Sequence, residues 1–177
     1  MSSIIKVNTY QDANGNALFS SDGSGTVTLD SNFSGVLPSN TPAFMARRSS
    51  TQAMANGVDT KVIFDSEISD TDSAYDTSTG RFTVPSGKGG KYYIHSKLRW
   101  AETDDWDSCE LYVFVNGSAL SYMSSWWVQR NNSTQSSSGI LTLNAGDYVE
   151  IYCYQGSGSS RNISNHCVFN GFRLIGA

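Results

Sequence analysis

The chain has 177 residues, of which 38% are hydrophobic and 16% charged, and its formal net charge is -4. This length allows one well-buried domain with a modest appendage, and it is too short for two ordinary domains. Sixteen acidic against twelve basic residues leave no positive footprint for nucleic acid or an anionic membrane. No segment has the length and apolarity of a bilayer span, and the first ten residues lack a signal-peptide pattern. We therefore expect a protein that stays in a cytoplasm or is released with a particle.

The first forty residues predict a small β arm. Short β-type runs at residues 4–10, 17–20 and 26–29 are separated by Asn14-Gly15 and by the Asp-Gly-Ser-Gly sequence of residues 22–25. Asn and Gly adopt positive φ at low cost, so both separators favour tight hairpin turns. Two or three strands of this size bury too little surface to be stable alone. We therefore expect the arm to attach the protein to a partner or to promote oligomerisation.

Residues 31–42 have the composition of a linker, with Ser, Asn, Gly and two prolines. The linker predicts an arm at residues 1–41 and a head domain at residues 42–177. In the head, nine strand candidates succeed one another with no convincing helical period, which predicts an all-β sandwich or barrel. They span residues 43–47, 60–64, 81–84, 91–100, 109–115, 123–129, 139–143, 148–154 and 168–175.

Several of these strands alternate clearly between a core face and an outward face. Between Tyr92 and Trp100, every second residue is expected in the core. On the strands at 109–115 and 148–154 the outward face carries aromatic rings as well as polar groups. Large amphipathic rings are enriched at subunit contacts, so we predict a subunit interface there. Its members are Tyr112, Phe114, Tyr152 and Tyr154.

The segment from Tyr75 to residue 94 resembles the signature of the complement component 1q and tumour necrosis factor jelly-roll superfamily. The family pattern has a Tyr, Thr-Gly-x-Phe, a Pro and then Gly-x-Tyr entering a long strand. This sequence supplies Tyr75, Thr79, Gly80, Phe82, Pro85, Gly90 and Tyr92. Further matches are Ala43-Phe44, the apolar run ending in Asn116-Gly117, the Leu-x-x-Gly-Asp-x-Val motif of residues 143–149, and Phe-x-Gly-Phe-x-Leu at residues 169–174.

The resemblance implies a jelly roll of about ten strands in two antiparallel sheets, assembled as a homotrimer. It also implies that Phe82, Phe169 and Phe172 fill the core. The chain differs from animal relatives in lacking a collagen-like stalk and a secretory signal, and its arm resembles the start of bacteriophage fibre and appendage proteins. We therefore expect a virion protein.

The candidates for chemistry are few. The three cysteines, Cys109, Cys153 and Cys167, lie among apolar strand neighbours and are expected to be buried free thiols. Clustered carboxylates can bind calcium, and the weak candidates are Asp104, Asp105 and Asp107, although their spacing does not match a twelve-residue calcium loop. A second acidic stretch runs from Asp65 to Asp76. No other cofactor is expected.

Neither histidine lies in a nucleophile or zinc motif, so we expect no catalytic residues and no enzymatic activity. The segment 122–133 joins aromatic rings to amides and an arginine, which suits a carbohydrate or protein surface. The ligand-binding candidates are Trp126, Trp127, Gln129 and Arg130. The alternative is that Trp126 and Trp127 are core and interface residues on opposite strand faces.

These observations predict a homotrimeric virion structural protein. Residues 1–41 would bind other virion proteins, and the head would act in adhesion to a host-surface glycan or protein, or in particle decoration. No nucleic acid or membrane insertion is expected. The alternatives are a soluble carbohydrate-binding adhesin of cellular origin and a glycan-cleaving enzyme.

Overall fold

The computed structural model describes residues 8–29, 40–101, 103–129 and 133–174. The predicted strand residues 4–7, most of the predicted linker at 31–42, and Arg130 lie outside these ranges. The described residues fall into two compact units, an arm within residues 1–39 and a head from residue 40 onward.

The arm is a three-stranded antiparallel sheet in the order β1-β2-β3. Its strands are β1 (Thr9–Gln11), β2 (Ala17–Ser21) and β3 (Val27–Leu29). Both turns are built the same way. Asp12 Oδ1 accepts hydrogen bonds from the backbone N–H groups two and four residues on, at 2.8 and 2.9 Å, and Asp22 Oδ1 does the same at 2.8 and 3.2 Å. The two hairpins that the turn sequences predict are therefore present.

The described head is built almost wholly of strands, with one 3-10 turn at Ser121–Met123. In chain order its strands are β4 (Ala43–Arg47), β5 (Gln52–Met54), β6 (Thr60–Lys61), β7 (Ser66–Asp70), β8 (Tyr75–Asp76), β9 (Arg81–Thr83), β10 (Gly90–Arg99), β11 (Trp106–Val115), β12 (Ser118–Ala119), β13 (Ser125–Gln129), β14 (Thr134–Leu143), β15 (Tyr148–Gln155), β16 (Arg161–Ile163) and β17 (Val168–Arg173).

These strands form two main antiparallel sheets, as the all-β jelly-roll prediction requires. The β10 sheet has the order β14-β10-β17-β4-β7. The β11 sheet has the order β12-β11-β15-β9-β8, with β13 also pairing β11 and β6 pairing β15. β16 and β5 form a separate two-stranded sheet. The jelly-roll fold predicted from the sequence is confirmed.

The core between the two sheets is rich in aromatic rings contributed by the family motifs. Phe44 on β4 stacks on Phe82 of β9 with 4.5 Å between ring centroids, and on Tyr75 of β8 at 5.3 Å. Phe169 on β17 meets the edge of Phe44 at 4.9 Å. Because Phe44 and Phe169 belong to one sheet and Tyr75 and Phe82 to the other, this cluster joins the two sheets.

The signature turn between β8 and β9 is fixed by hydrogen bonds. The Asp76 carboxylate accepts from the side chain and backbone of Ser78 and from the Thr79 hydroxyl, and these bonds lower the pKa of Asp76 to about 2. Gly80 closes the turn with φ +70°, and a Cβ there would lie 2.8 Å from the Val62 carbonyl oxygen. In the Thr-Gly pair of the motif, Thr79 therefore supplies a hydrogen bond and Gly80 meets a steric requirement.

One core prediction is wrong. Phe82 and Phe169 are fully buried, but Phe172 lies on the outward face and is 36% exposed. Residues three apart in a strand point to opposite faces, so Phe169 and Phe172 do not share the core. The predicted alternation of β10 is confirmed, since Tyr92, Ile94, Leu98 and Trp100 are all buried.

Gly171 lies on β17, where the backbone packs closely against β10 and the core. A Cβ on Gly171 would lie 2.8 Å from Ile94 Cδ1 and 2.9 Å from the Tyr93 carbonyl oxygen. We predict that Gly171→Ala lowers the free energy of unfolding by about 1–3 kcal/mol, the usual cost of overpacking. Gly89→Ala is the matched control, since its Cβ would meet nothing closer than 3.5 Å. Urea unfolding checks both, and equal stability of the two variants would contradict the packing argument.

Candidate functional site

The outward side of the β11 sheet carries the four predicted interface residues together. Tyr112 lies opposite Tyr152, and the Phe114 and Tyr152 ring centroids are 4.2 Å apart. Tyr112 meets Phe114 at nearly a right angle, with 6.2 Å between centroids. Tyr154 lies on the same side and pairs with Glu110. We call Tyr112, Phe114, Tyr152 and Tyr154 the aromatic face, and all four rings are half-buried within a single chain.

The Tyr112 hydroxyl is held in place on this face. It donates a hydrogen bond to Glu110 Oε2 at 2.6 Å. Burial and this hydrogen bond to a carboxylate raise the pKa of Tyr112. The phenol therefore stays neutral at physiological pH and acts as an oriented polar group.

Glu150 lies on the same outward side yet is only 2% exposed. Its Oε1 accepts from Lys61 Nζ at 2.7 Å and from Arg81 Nε at 3.0 Å. The Arg81 guanidinium also lies over the Tyr148 ring, 3.8 Å from its centroid. Two cations and an aromatic neighbourhood thus compensate the desolvation of this carboxylate. The charges at this end of the sheet are satisfied within one chain.

The aromatic surface continues to the edge of the sheet, where its rings are open to solvent. Trp126 on β13 lies opposite Glu110 of β11 and is 61% exposed. Tyr122, in the 3-10 turn just before β13, is 75% exposed. Of the four ligand-binding candidates, only Trp126 has a described side chain. The side chains of Trp127 and Gln129, and the whole of Arg130, lie outside the described residues.

In the acidic loop before β11, Asp104 forms an ion pair with Arg161 of β16. Asp104 Oδ2 is 3.1 Å from Arg161 Nη1, while Asp105 is exposed. The Asp107 side chain lies outside the described residues. Within the part of the chain that the structure describes, no group of three His, Cys, Asp or Glu side chains could hold a metal ion. Calcium binding at Asp104, Asp105 and Asp107 stays a prediction.

The second acidic stretch has structural partners. Asp65 accepts from the Ser49 backbone N–H at 2.8 Å and from its hydroxyl at 2.7 Å. Asp70 accepts from the Tyr75 backbone N–H at 2.7 Å. These carboxylates anchor loops and turns around the signature motif.

The three cysteines are buried and free, as predicted. Burial raises the pKa of the Cys109 thiol to about 11 and raises the pKa values of Cys153 and Cys167 as well. A thiol protonated at neutral pH is a poor nucleophile and metal ligand. These side chains therefore act as small apolar groups.

A second outward surface, on the β10 sheet, was not predicted from the sequence. Ile140, Tyr93 and Phe172 lie in one row across β14, β10 and β17, and Tyr93 and Phe172 have ring centroids 5.5 Å apart. Ile140 is 61% exposed. We call Ile140, Tyr93 and Phe172 the apolar row. Strict application of the two-residue period to β17 and β14 would have found it.

His95 lies beside the apolar row. Its Nδ1 is 3.3 Å from the side-chain nitrogen of Asn170. Burial, and then the nearby Lys97 charge, lower the pKa of His95. The imidazole is therefore neutral at physiological pH and adds no charge to this surface.

No helix within the described ranges is long and apolar enough to cross a membrane.

A protein-family model for the C1q domain matches residues 43–174. The chain belongs to the C1q domain family. The match covers both sheets of the head and ends at the last described residue. The family resemblance drawn from the sequence motifs is thereby confirmed.

Solved structures share this fold. The globular domain of zebrafish complement 1qA protein has a TM-score of 0.53 and 22% sequence identity, and covers 76% of this chain and 98% of its own. PRD1 vertex protein P5 has a TM-score of 0.58 and 12% identity, and covers 77% of this chain and 99% of its own. At these identities the likeness concerns the fold of the C1q domain.

A sequence relative is the phage-like element PBSX protein XkdV of Bacillus subtilis (strain 168). The two are 31% identical over 113 residues, which is 59% of this chain and 16% of XkdV. This chain thus spans about a sixth of the relative that it matches.

Proposed function

We propose that the chain is a structural protein of a phage-like particle, with a homotrimeric C1q head that contacts the host surface. The observation that supports the particle context is the 31% identity to XkdV, a protein of a phage-like element. The fold of the head is also that of PRD1 vertex protein P5. Residues 1–41 attach the protein to other particle components, and the head has no enzymatic role.

Outward aromatic and aliphatic side chains support the homotrimer that the family resemblance implies. The aromatic face is the proposed contact, since amphipathic rings with oriented hydroxyls suit a subunit interface. The apolar row on the other sheet competes with it, because Ile140 and Phe172 are more open to solvent. If the aromatic face is the contact, substitutions there disrupt the trimer. If the apolar row is the contact, substitutions in the apolar row do so.

Host contact is assigned to Trp126 and Tyr122 because they are the most exposed aromatic side chains of the described head. A flat indole covers an apolar sugar face or a protein patch, and neighbouring hydroxyls pair with polar groups. Trp126 on the edge strand β13 and Tyr122 in the turn before it stay accessible when the aromatic face is covered in the trimer. Adhesion is therefore favoured over decoration.

The particle context is tested by purifying the particles from the cells that carry the gene. We expect the chain to co-sediment with intact particles and to be labelled on their surface by an antibody against the head. Recovery only in the particle-free supernatant would favour the soluble adhesin of cellular origin. Release of sugars from host polysaccharide by the purified protein would favour the glycan-cleaving enzyme.

Tyr152→Glu is expected to give monomers, because it places a carboxylate in the centre of the aromatic face. Ile140→Glu is the matched control on the apolar row and is expected to leave the trimer intact. Light scattering measures the mass of both variants. Monomers of Ile140→Glu with trimers of Tyr152→Glu would move the contact to the β10 sheet.

Trp126→Ala is expected to weaken binding to host cells by roughly 30-fold, corresponding to about 2 kcal/mol for an interface tryptophan. Val58→Ala, at an apolar position of similar exposure (54%), is the control and should bind like the wild type. Binding of purified protein to whole cells and to isolated cell walls provides the measurement. Unchanged binding of Trp126→Ala would remove β13 from the adhesion site.

A further inference from the structure

The arm has two unlike faces. Because directly opposed residues of an antiparallel sheet share a side, the pairing of Tyr10 with Phe19 and of Phe19 with Leu29 places these three side chains together. Val27 lies two residues from Leu29 on β3 and joins them. The Tyr10 and Phe19 rings stack with 4.2 Å between centroids. We call Tyr10, Phe19, Val27 and Leu29 the arm face.

The arm face is open within a single chain. Tyr10, Val27 and Leu29 are each between 42% and 60% exposed. The opposite side carries Thr9, Ser20 and Thr28. A sheet of three strands with three to five residues each cannot stabilise itself while its apolar side faces water. Something else must cover this face.

The charge pattern favours copies of the same surface as the cover. Residues 8–29 contain no Lys or Arg, and their two carboxylates, Asp12 and Asp22, are bound within the turns at opposite ends of the sheet. Near a threefold axis each side chain meets copies of itself, so any charge on the arm face would face like charges. An arm face without charges avoids this repulsion. A partner with a charged surface would instead favour complementary charges on the arm face.

The length of the segment between the arm and the head also favours sister arms as the cover. Ten residues, 30–39, separate the described arm from the head, and a fully extended chain of this length reaches roughly 35 Å. In a trimer, each arm therefore stays within roughly 35 Å of the residue where its own head begins. Tethers this short raise the local concentration of the arms to roughly millimolar, so a weak contact becomes populated.

We infer that the arm face is covered by the arm faces of two sister chains, so that three arms form a three-sided β prism with Tyr10, Phe19, Val27 and Leu29 inside. This inference rests on the proposed homotrimer and specifies how its N-terminal part is assembled. The prism leaves the polar side with Thr9, Ser20 and Thr28 outward, where the remainder of the particle is met.

Two variants of the full chain, each with one added cysteine, test the prism. Val27→Cys places a thiol on the arm face, and Thr28→Cys places one on the opposite side of the same strand. The native cysteines are buried. With a short bis-maleimide, Val27→Cys is expected to give covalent dimers and trimers on denaturing gels, several times more than Thr28→Cys, and the wild type is expected to give none.

The experiment distinguishes a wrong prism from a wrong homotrimer. Equal cross-linking of the two variants, or none in either, while light scattering still gives trimers would overturn the prism and leave the proposed function standing. Monomers by light scattering in the wild type would overturn both. Phe19→Asp gives a second readout, since the prism predicts faster proteolysis of the arm while the head stays trimeric. If the arm of Phe19→Asp resists proteolysis as well as the wild-type arm does, the inference is overturned.

Discussion

The head depends on an aromatic cluster between its two sheets. Phe44 stacks on Tyr75 and Phe82 from the β11 sheet and meets the edge of Phe169 from its own sheet. The family motifs supply these rings, and Gly171 lets the backbone approach them closely. Rings of this size give large apolar burial together with a preferred geometry, so the cluster fixes the spacing of the sheets as well as their association. The other core side chains pack within the distance between the sheets that this cluster sets.

Once the core side of each strand is fixed, the other side is fixed too, because the period of a strand is two. The sequence motifs therefore predicted most of the long strands and the aromatic face with no knowledge of pairing. The error at Phe172 came from reading the closing motif as a unit and ignoring the period. With Phe172 outward, the apolar row appears on the β10 sheet, and the head has two candidate contact surfaces in place of one.

What the sequence could not predict depends on long-range partners. The strands β5 and β16 are three residues each and exist because they pair with each other, across more than a hundred residues of chain. Glu150 follows the alternation of an exposed position, yet it is buried because Lys61 and Arg81 come from distant strands to pair with it.

Several ionisable groups of the described head serve the fold. Within the described residues the thiols are buried with raised pKa values, and Asp65, Asp70 and Asp76 anchor turns by accepting hydrogen bonds. Aromatic and aliphatic side chains, among them Trp126, Ile140 and Val27, are also open to solvent on the head and on the arm. Such surfaces gain free energy by excluding water and require no proton transfer or nucleophile. These exposed apolar groups therefore suit assembly and surface contact.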